Sequence, residues 1–116
     1  QIHPFDQKAA EAYLCANEQG KYLEYHDMQF ENQQALDTAS LKSYASKLGL
    51  NTAQFNSCLD DNKYKSEVSK ELALATSFGV QGTPFFVIVN TKTGDATTIS
   101  GAYPWSQFES AIQSIK

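Results

Sequence analysis

Five consecutive residues, Phe85-Phe86-Val87-Ile88-Val89, limit what this chain can fold into more than any other stretch. A run of aromatic and mostly β-branched residues, bounded by Gly82-Thr83-Pro84 on one side and Asn90 on the other, reads as a strand buried on both faces. Such a strand belongs in the middle of a sheet, between layers of helices. After the turn-forming Thr91-Lys92-Thr93-Gly94-Asp95, the weaker segment Ala96 to Ser100 completes an antiparallel hairpin. Two strands do not make an independently stable sheet, and no other segment reads as a strand. One edge of the apolar strand is therefore expected to lie open, and the missing strands are expected before Gln1. The absence of Met at position 1 suggests a processed chain, a proteolytic product or a designed chain.

The rest of the chain is helical in its periodicity. Phe5, Ala9, Ala12, Tyr13 and Ala16 recur at three- and four-residue spacing, which predicts a helix from about Pro4 to Gln19, stopped by Gly20. Tyr22, Tyr25, Met28 and Phe30 form a short second helix before the polar connector Glu31 to Gln34. Asp37 or Thr38 can cap a third, with Leu41, Tyr44, Ala45 and Leu48 on its apolar face and Gly49 beyond it. Asn51 or Thr52 can cap a fourth carrying Phe55, Cys58 and Leu59. A fifth is predicted from about Asn62 to Phe78, with Tyr64, Val68, Leu72 and Ala75 on one stripe and Gly79 as its stop. Pro104 opens the last, with Trp105, Phe108, Ile112 and Ile115 facing inward. The expected order is five helices, two strands and a helix, an α+β arrangement without repeats or linkers.

Composition removes several function classes. The 116 residues include 9 Lys, no Arg and 13 acidic residues, for a formal net charge of −4. A nucleic-acid reader needs a basic footprint and usually Arg forks, so nucleic acid is not an expected partner. The longest apolar run is too short to span a bilayer, and no basic-then-apolar signal segment opens the chain, which reads as soluble. Apolar residues at 41% suffice for one small domain with a core.

The chemistry concentrates in Gly79-Val80-Gln81-Gly82-Thr83-Pro84-Phe85-Phe86. Thr-Pro leading straight into a strand is a place where a cis peptide bond is cheap. In that geometry the backbone groups of the residue before Pro are left for an extended peptide. This stretch resembles the cis-proline loop of thioredoxin-fold proteins, and the chain as a whole is similar to the DsbA-like thiol-disulfide oxidoreductases. The likeness extends over His3-Pro4, Ala9-Ala10, Cys15-Ala16, Gln19-Gly20-Lys21 and Tyr25-His26-Asp27, then Phe55 with Cys58-Leu59, then Gly101-Ala102-Tyr103 and Phe108. It implies an incomplete thioredoxin-like fold, α/β in its full form, with a helical insertion at 1–79 and the loop, hairpin and last helix of the core at 80–116.

The resemblance implies that Gly82, Thr83 and Pro84 bind extended peptides or cysteine-containing protein substrates, outside the cytoplasm and with a redox partner. It implies no cofactor and no metal. It also exposes a departure: the family carries Cys-x-x-Cys at the start of a helix, and this chain has only Cys15 and Cys58, 43 positions apart. No catalytic residue can be carried over, and the chain alone is expected to be inactive. The two cysteines are expected to form a structural disulfide between two helices of the insertion, as small extracytoplasmic domains use such staples; the alternative is two buried free thiols. Two Cys lack the His partners of a zinc site.

A nucleophile, base and orienter could be assembled from Cys15, His26 and Asp27. Adjacent positions on a helix project about 100° apart, however, so a hydrogen-bonded His26–Asp27 pair is not expected. His3 reads as a residue leading into the first helix, the aromatics Tyr22, Tyr25 and Phe30 as packing, and Lys63-Tyr64-Lys65 as a solvated helix end. Two functions follow: part of a thiol-disulfide oxidoreductase, or a redox-inactive thioredoxin-like module that binds peptides or proteins, its sheet completed by strand exchange between two chains.

Overall fold

The computed structural model describes residues 4–116. The elements run α1 (Asp6–Asn17), α2 (Tyr22–Glu31), α3 (Thr38–Lys47), α4 (Thr52–Asp60), α5 (Lys65–Ser77), β1 (Phe85–Val89), β2 (Ala96–Ser100) and α6 (Trp105–Ser114). This is the expected order of five helices, two strands and a helix. The chain forms two compact units, one ending at Leu72 and the other running from Ala73 to Lys116.

The first unit is a helical bundle around Tyr25, Leu41, Phe55 and Leu59, all with no exposed surface. Ala9, Ala12 and Ala16 line the inner face of α1, and their small side chains let it lie close against α2, α3 and α4. The rings of Tyr25 and Phe55 meet with centroids 5.4 Å apart. Polar groups drawn into this core find partners, Tyr44 Oη donating to the Ala35 carbonyl at 2.7 Å and Gln29 Nε2 to the Ala9 carbonyl at 2.9 Å, with Asn56 Oδ1 as the exception among the described residues. Glu11 is buried and held by Lys8 Nζ at 3.0 Å.

Capping residues set the helix boundaries. Asp37 accepts from the Ala39 and Ser40 amides, and Asn51 accepts from the Gln54 amide at 3.0 Å, each satisfying a free donor of the first turn. At Gly49, φ is +71°, and the Leu50 amide returns to the Ala45 carbonyl at 3.0 Å, the wrapped ending that favours a residue without Cβ. Asn62 does the same work at the end of α4, with φ +54° and Lys63 N–H on the Cys58 carbonyl at 3.1 Å. That is why α5 begins at Lys65 rather than near Asn62: a left-handed residue cannot open a right-handed helix.

In the second unit β1 and β2 pair antiparallel, Phe85 opposite Ser100 through Val89 opposite Ala96. Asn90 organises the turn, its Oδ1 accepting from the Lys92 amide at 3.0 Å and the Thr93 amide at 3.3 Å. Helix α6 packs on the hairpin, where Phe108 meets Phe86 edge-on with centroids 4.9 Å apart. Among the described residues the sheet has these two strands, and the far edge of β1 has no strand beside it.

Three packing expectations are corrected. β1 is not buried on both faces, since Phe86, Val87 and Val89 keep 38%, 39% and 51% of their surface. None of the α5 residues is buried, and Leu72 on the expected stripe is exposed. Trp105 does not face inward but is 69% exposed, its ring lying parallel to that of Phe108. Periodicity reports which side of an element suits a core, and a covering partner has to be supplied separately.

Candidate functional site

The loop before β1 holds the three residues expected to bind substrate. Gly82, Thr83 and Pro84 are all exposed, and the Thr83–Pro84 peptide bond is cis. The loop is anchored at both ends: the Val80 amide closes on the Ala75 carbonyl at 3.1 Å, and the Pro84 carbonyl accepts from the Gly101 amide at 2.9 Å. Between these anchors, the backbone N–H and C=O of Thr83 make no hydrogen bond among the described residues. A Cβ added to Gly82 would meet nothing within 4 Å, so the backbone there is open to an approaching chain.

The second feature is the disulfide. Cys15 on α1 and Cys58 on α4 are bonded, with Cα atoms 5.9 Å apart. Neither is a free thiol, so the triad of Cys15, His26 and Asp27 has no nucleophile. One part of that reading is corrected, because His26 Nδ1 and Asp27 Oδ1 do lie 3.1 Å apart. Both are exposed, and flexible side chains on a surface close the angle that the helix opens. His26 stacks near Phe30, centroids 4.5 Å apart, while Tyr22 lies against Tyr13 at 4.1 Å. Of the three aromatics, Tyr25 alone is fully buried. His3 lies outside the described residues.

Sequence reasoning passed over a cluster beside the disulfide. Glu18, one turn beyond Cys15, accepts from Tyr64 Oη at 2.6 Å and pairs with Lys63 Nζ. Its Oε1 is 3.9 Å from Cys58 Sγ, a contact only, since a disulfide sulfur carries no hydrogen to donate. Hydrogen bonds from Lys63, then from Tyr64, hold the Glu18 carboxyl below the usual carboxylate range, and the same pairing raises Lys63 and Tyr64. Lys63-Tyr64 is therefore not merely a solvated helix end. The signal was spacing: Glu18 is three residues past one cysteine, and Lys63 and Tyr64 are five and six past the other, so any Cys15–Cys58 bond gathers them.

At the other end of α1, Lys8 Nζ reaches three acceptors, Glu11 Oε2, the Leu59 carbonyl at 2.7 Å and Asn62 Oδ1 at 2.8 Å. Helix α1 thus holds α4 through Lys8 and Cys15, and Glu18 just beyond α1 holds Lys63 and Tyr64 just beyond α4. Among the described residues no group of three or more His, Cys, Asp or Glu side chains could hold a metal ion. No helix there is long and apolar enough to cross a membrane.

The chain is 36% identical over 87 residues to Na(+)/H(+) antiporter NhaA 3 of Salinispora tropica, and 34% identical over 87 residues to Na(+)/H(+) antiporter NhaA 1 of Salinispora arenicola. Each of these alignments covers 75% of this chain and 13% of the relative. It is also 30% identical over 116 residues to Na(+)/H(+) antiporter NhaA of Herminiimonas arsenicoxydans, covering 97% of this chain and 19% of the relative. The chain therefore spans less than a fifth of the length of these relatives. No solved structure matches it. The family model of the DSBA-like thioredoxin domain matches residues 6–113. With that match across nearly its whole length, a helical region followed by a Thr-Pro loop and hairpin, and no Cys-x-x-Cys among its 116 residues, the chain belongs to the DSBA-like thioredoxin domain family.

Proposed function

We propose that this chain is the peptide-holding portion of a DSBA-like thiol-disulfide oxidoreductase that acts on cysteine-bearing polypeptides outside the cytoplasm. Thr83 carries the reading. Its exposed N–H and C=O have no partner among the described residues, and they sit between a flexible Gly82 and the cis-linked Pro84. An extended peptide offers the complementary pair, so recognition would be a short stretch of β-like pairing at Thr83, with Gly82 giving room and Pro84 fixing the turn. Exchange requires a reactive thiolate next to the held substrate, which attacks a disulfide sulfur through a mixed disulfide. Cys15 and Cys58 are bonded to each other, so that thiolate would come from a different polypeptide segment. The Cys15–Cys58 bond itself supports an oxidising compartment.

The test is a titration of the labelled chain with an extended peptide whose cysteine is replaced by serine, followed by amide NMR. Saturable shifts centred on Gly82, Thr83 and Phe85 are expected. Shifts scattered elsewhere, or none while the chain stays folded, would reject the site.

A redox-inactive binding module is the second reading, and the absence of any free thiol favours it. Peptide binding without exchange chemistry in the intact natural polypeptide would select this reading over the first. The antiporter relatives support a place for either version beside a membrane transport protein.

A further inference from the structure

The two sulfurs of the disulfide differ in what surrounds them. Cys15 is 1% exposed and sits among the packed helices of the core, whereas Cys58 is 7% exposed and forms part of the wall of an open cleft of about 460 Å³. Glu18, Gln54, Ser57, Asp61 and Lys63 make up the rest of that wall. Cys15 does not line it. Thiol-disulfide exchange needs the incoming sulfur to reach one of the two bonded atoms, so access decides which one is attacked.

From this asymmetry we infer that Cys15–Cys58 is a site of thiol exchange opened at Cys58 alone, and that the thiol it prefers carries no anionic group besides its sulfur. The attacking thiolate forms a new S–S bond to Cys58 Sγ as the Cys15–Cys58 bond breaks. Cys15 leaves with the electron pair and takes a proton from solvent, so one disulfide replaces another and no outside oxidant is consumed. The cleft sets the preference for the attacker. Two carboxylates, Glu18 and Asp61, face one ammonium, Lys63, and the Glu18 oxygen stands 3.9 Å from the sulfur under attack. A unit negative charge at about that distance across water slows an incoming thiolate at most about fivefold, and the pairing of Glu18 with Lys63 lessens the effect. Negative charges on the attacker, such as the carboxylates of glutathione, add to this repulsion, and the ammonium of cysteamine offsets it.

The folded chain would be exposed at pH 8 to cysteamine or to glutathione, quenched in acid, alkylated and mapped by mass spectrometry, with the urea-unfolded chain as reference. The expected result is the adduct on Cys58 and the alkyl group on Cys15, with cysteamine favoured over glutathione relative to the unfolded reference. Glu18→Gln should speed opening by glutathione, by up to about fivefold, and narrow that preference. An adduct on Cys15, equal adducts on both, or none on either while the chain stays folded would overturn the inference. A Glu18→Gln rate equal to or below wild type would overturn the electrostatic part. Single variants give an independent reading: Cys58 in Cys15→Ser should react with an aromatic disulfide reagent well before Cys15 does in folded Cys58→Ser, and the reverse order would count against the site.

Discussion

Tyr25 Oη donates a hydrogen bond of 2.8 Å to the Leu41 carbonyl, joining α2 to α3 through a part of the core that water does not reach. Burial, with Tyr44 nearby, pushes the phenol well above the usual tyrosine range, so the folded chain keeps a proton there that the unfolded chain gives up near pH 10. The sign follows directly. This contribution is complete below about pH 10 and declines as pH rises beyond it. Tyr25→Phe should cost about 0.5–1.5 kcal/mol at neutral pH by removing this bond, the Leu41 carbonyl keeping its place in the α3 ladder, and should reduce the loss of stability at alkaline pH. Urea unfolding at pH 7 and above pH 10 checks both.

Reducing Cys15–Cys58 reopens a 43-residue separation in the unfolded chain. The chain-entropy model puts the destabilisation at about 4 kcal/mol. Denaturation midpoints before and after reduction should differ accordingly, and the Cys15→Ser/Cys58→Ser double variant should match the reduced form.

Glu18 supplies an acid-side dependence. Its folded carboxyl lies below the ordinary value of about 4.3, so the stabilisation is present above that value and is lost as pH falls through the folded one. Glu18→Gln should therefore flatten the fall in stability below about pH 4.3, and it should also lessen the alkaline loss, because the same pairing raises Lys63 and Tyr64. Thermal melts from pH 2 through the alkaline range would show both.

Asn51 joins two helices with its backbone and caps one with its side chain. Gln19 Oε1 accepts from its amide at 2.7 Å and Gln19 Nε2 donates to its carbonyl at 3.2 Å, while its Oδ1 caps α4. Asn51→Ala keeps the backbone pair and removes the cap, at a cost of about 1 kcal/mol. Gln19→Ala does the opposite, and because the two residues are in contact the double variant should depart from additivity, the departure measuring their coupling.

The 116-residue chain should neither reduce insulin nor oxidise a dithiol peptide catalytically. Reproducible turnover would show that Cys15–Cys58 cycles on its own. Stoichiometric opening by excess thiol without turnover is the expected outcome.

The helices, hairpin and capping residues were legible in the sequence because they depend on local signals. Asp37 and Asn51 mark helix starts, Gly49 and Gly79 mark ends, and the spacing of Ala9, Ala12 and Ala16 on α1 marks an inner face. The Gly82-Thr83-Pro84 loop was legible too, since Pro constrains its own peptide bond and the residue before it. The His26–Asp27 contact was not, because long exposed side chains can meet where the helix projects their Cβ atoms apart.

By itself the sequence determined the order of elements, their boundaries to within a turn, and the absence of a Cys-x-x-Cys pair, all of which depend on residues near one another in the chain. Tertiary structure alone decided that Glu18 meets Lys63 and Tyr64 beside the expected Cys15–Cys58 bond, and that Phe86, Val87, Val89 and Trp105 remain exposed. Those outcomes depend on which faces come together in space, and a residue's pattern of neighbours along the chain carries no information about a partner forty positions away or about a covering layer.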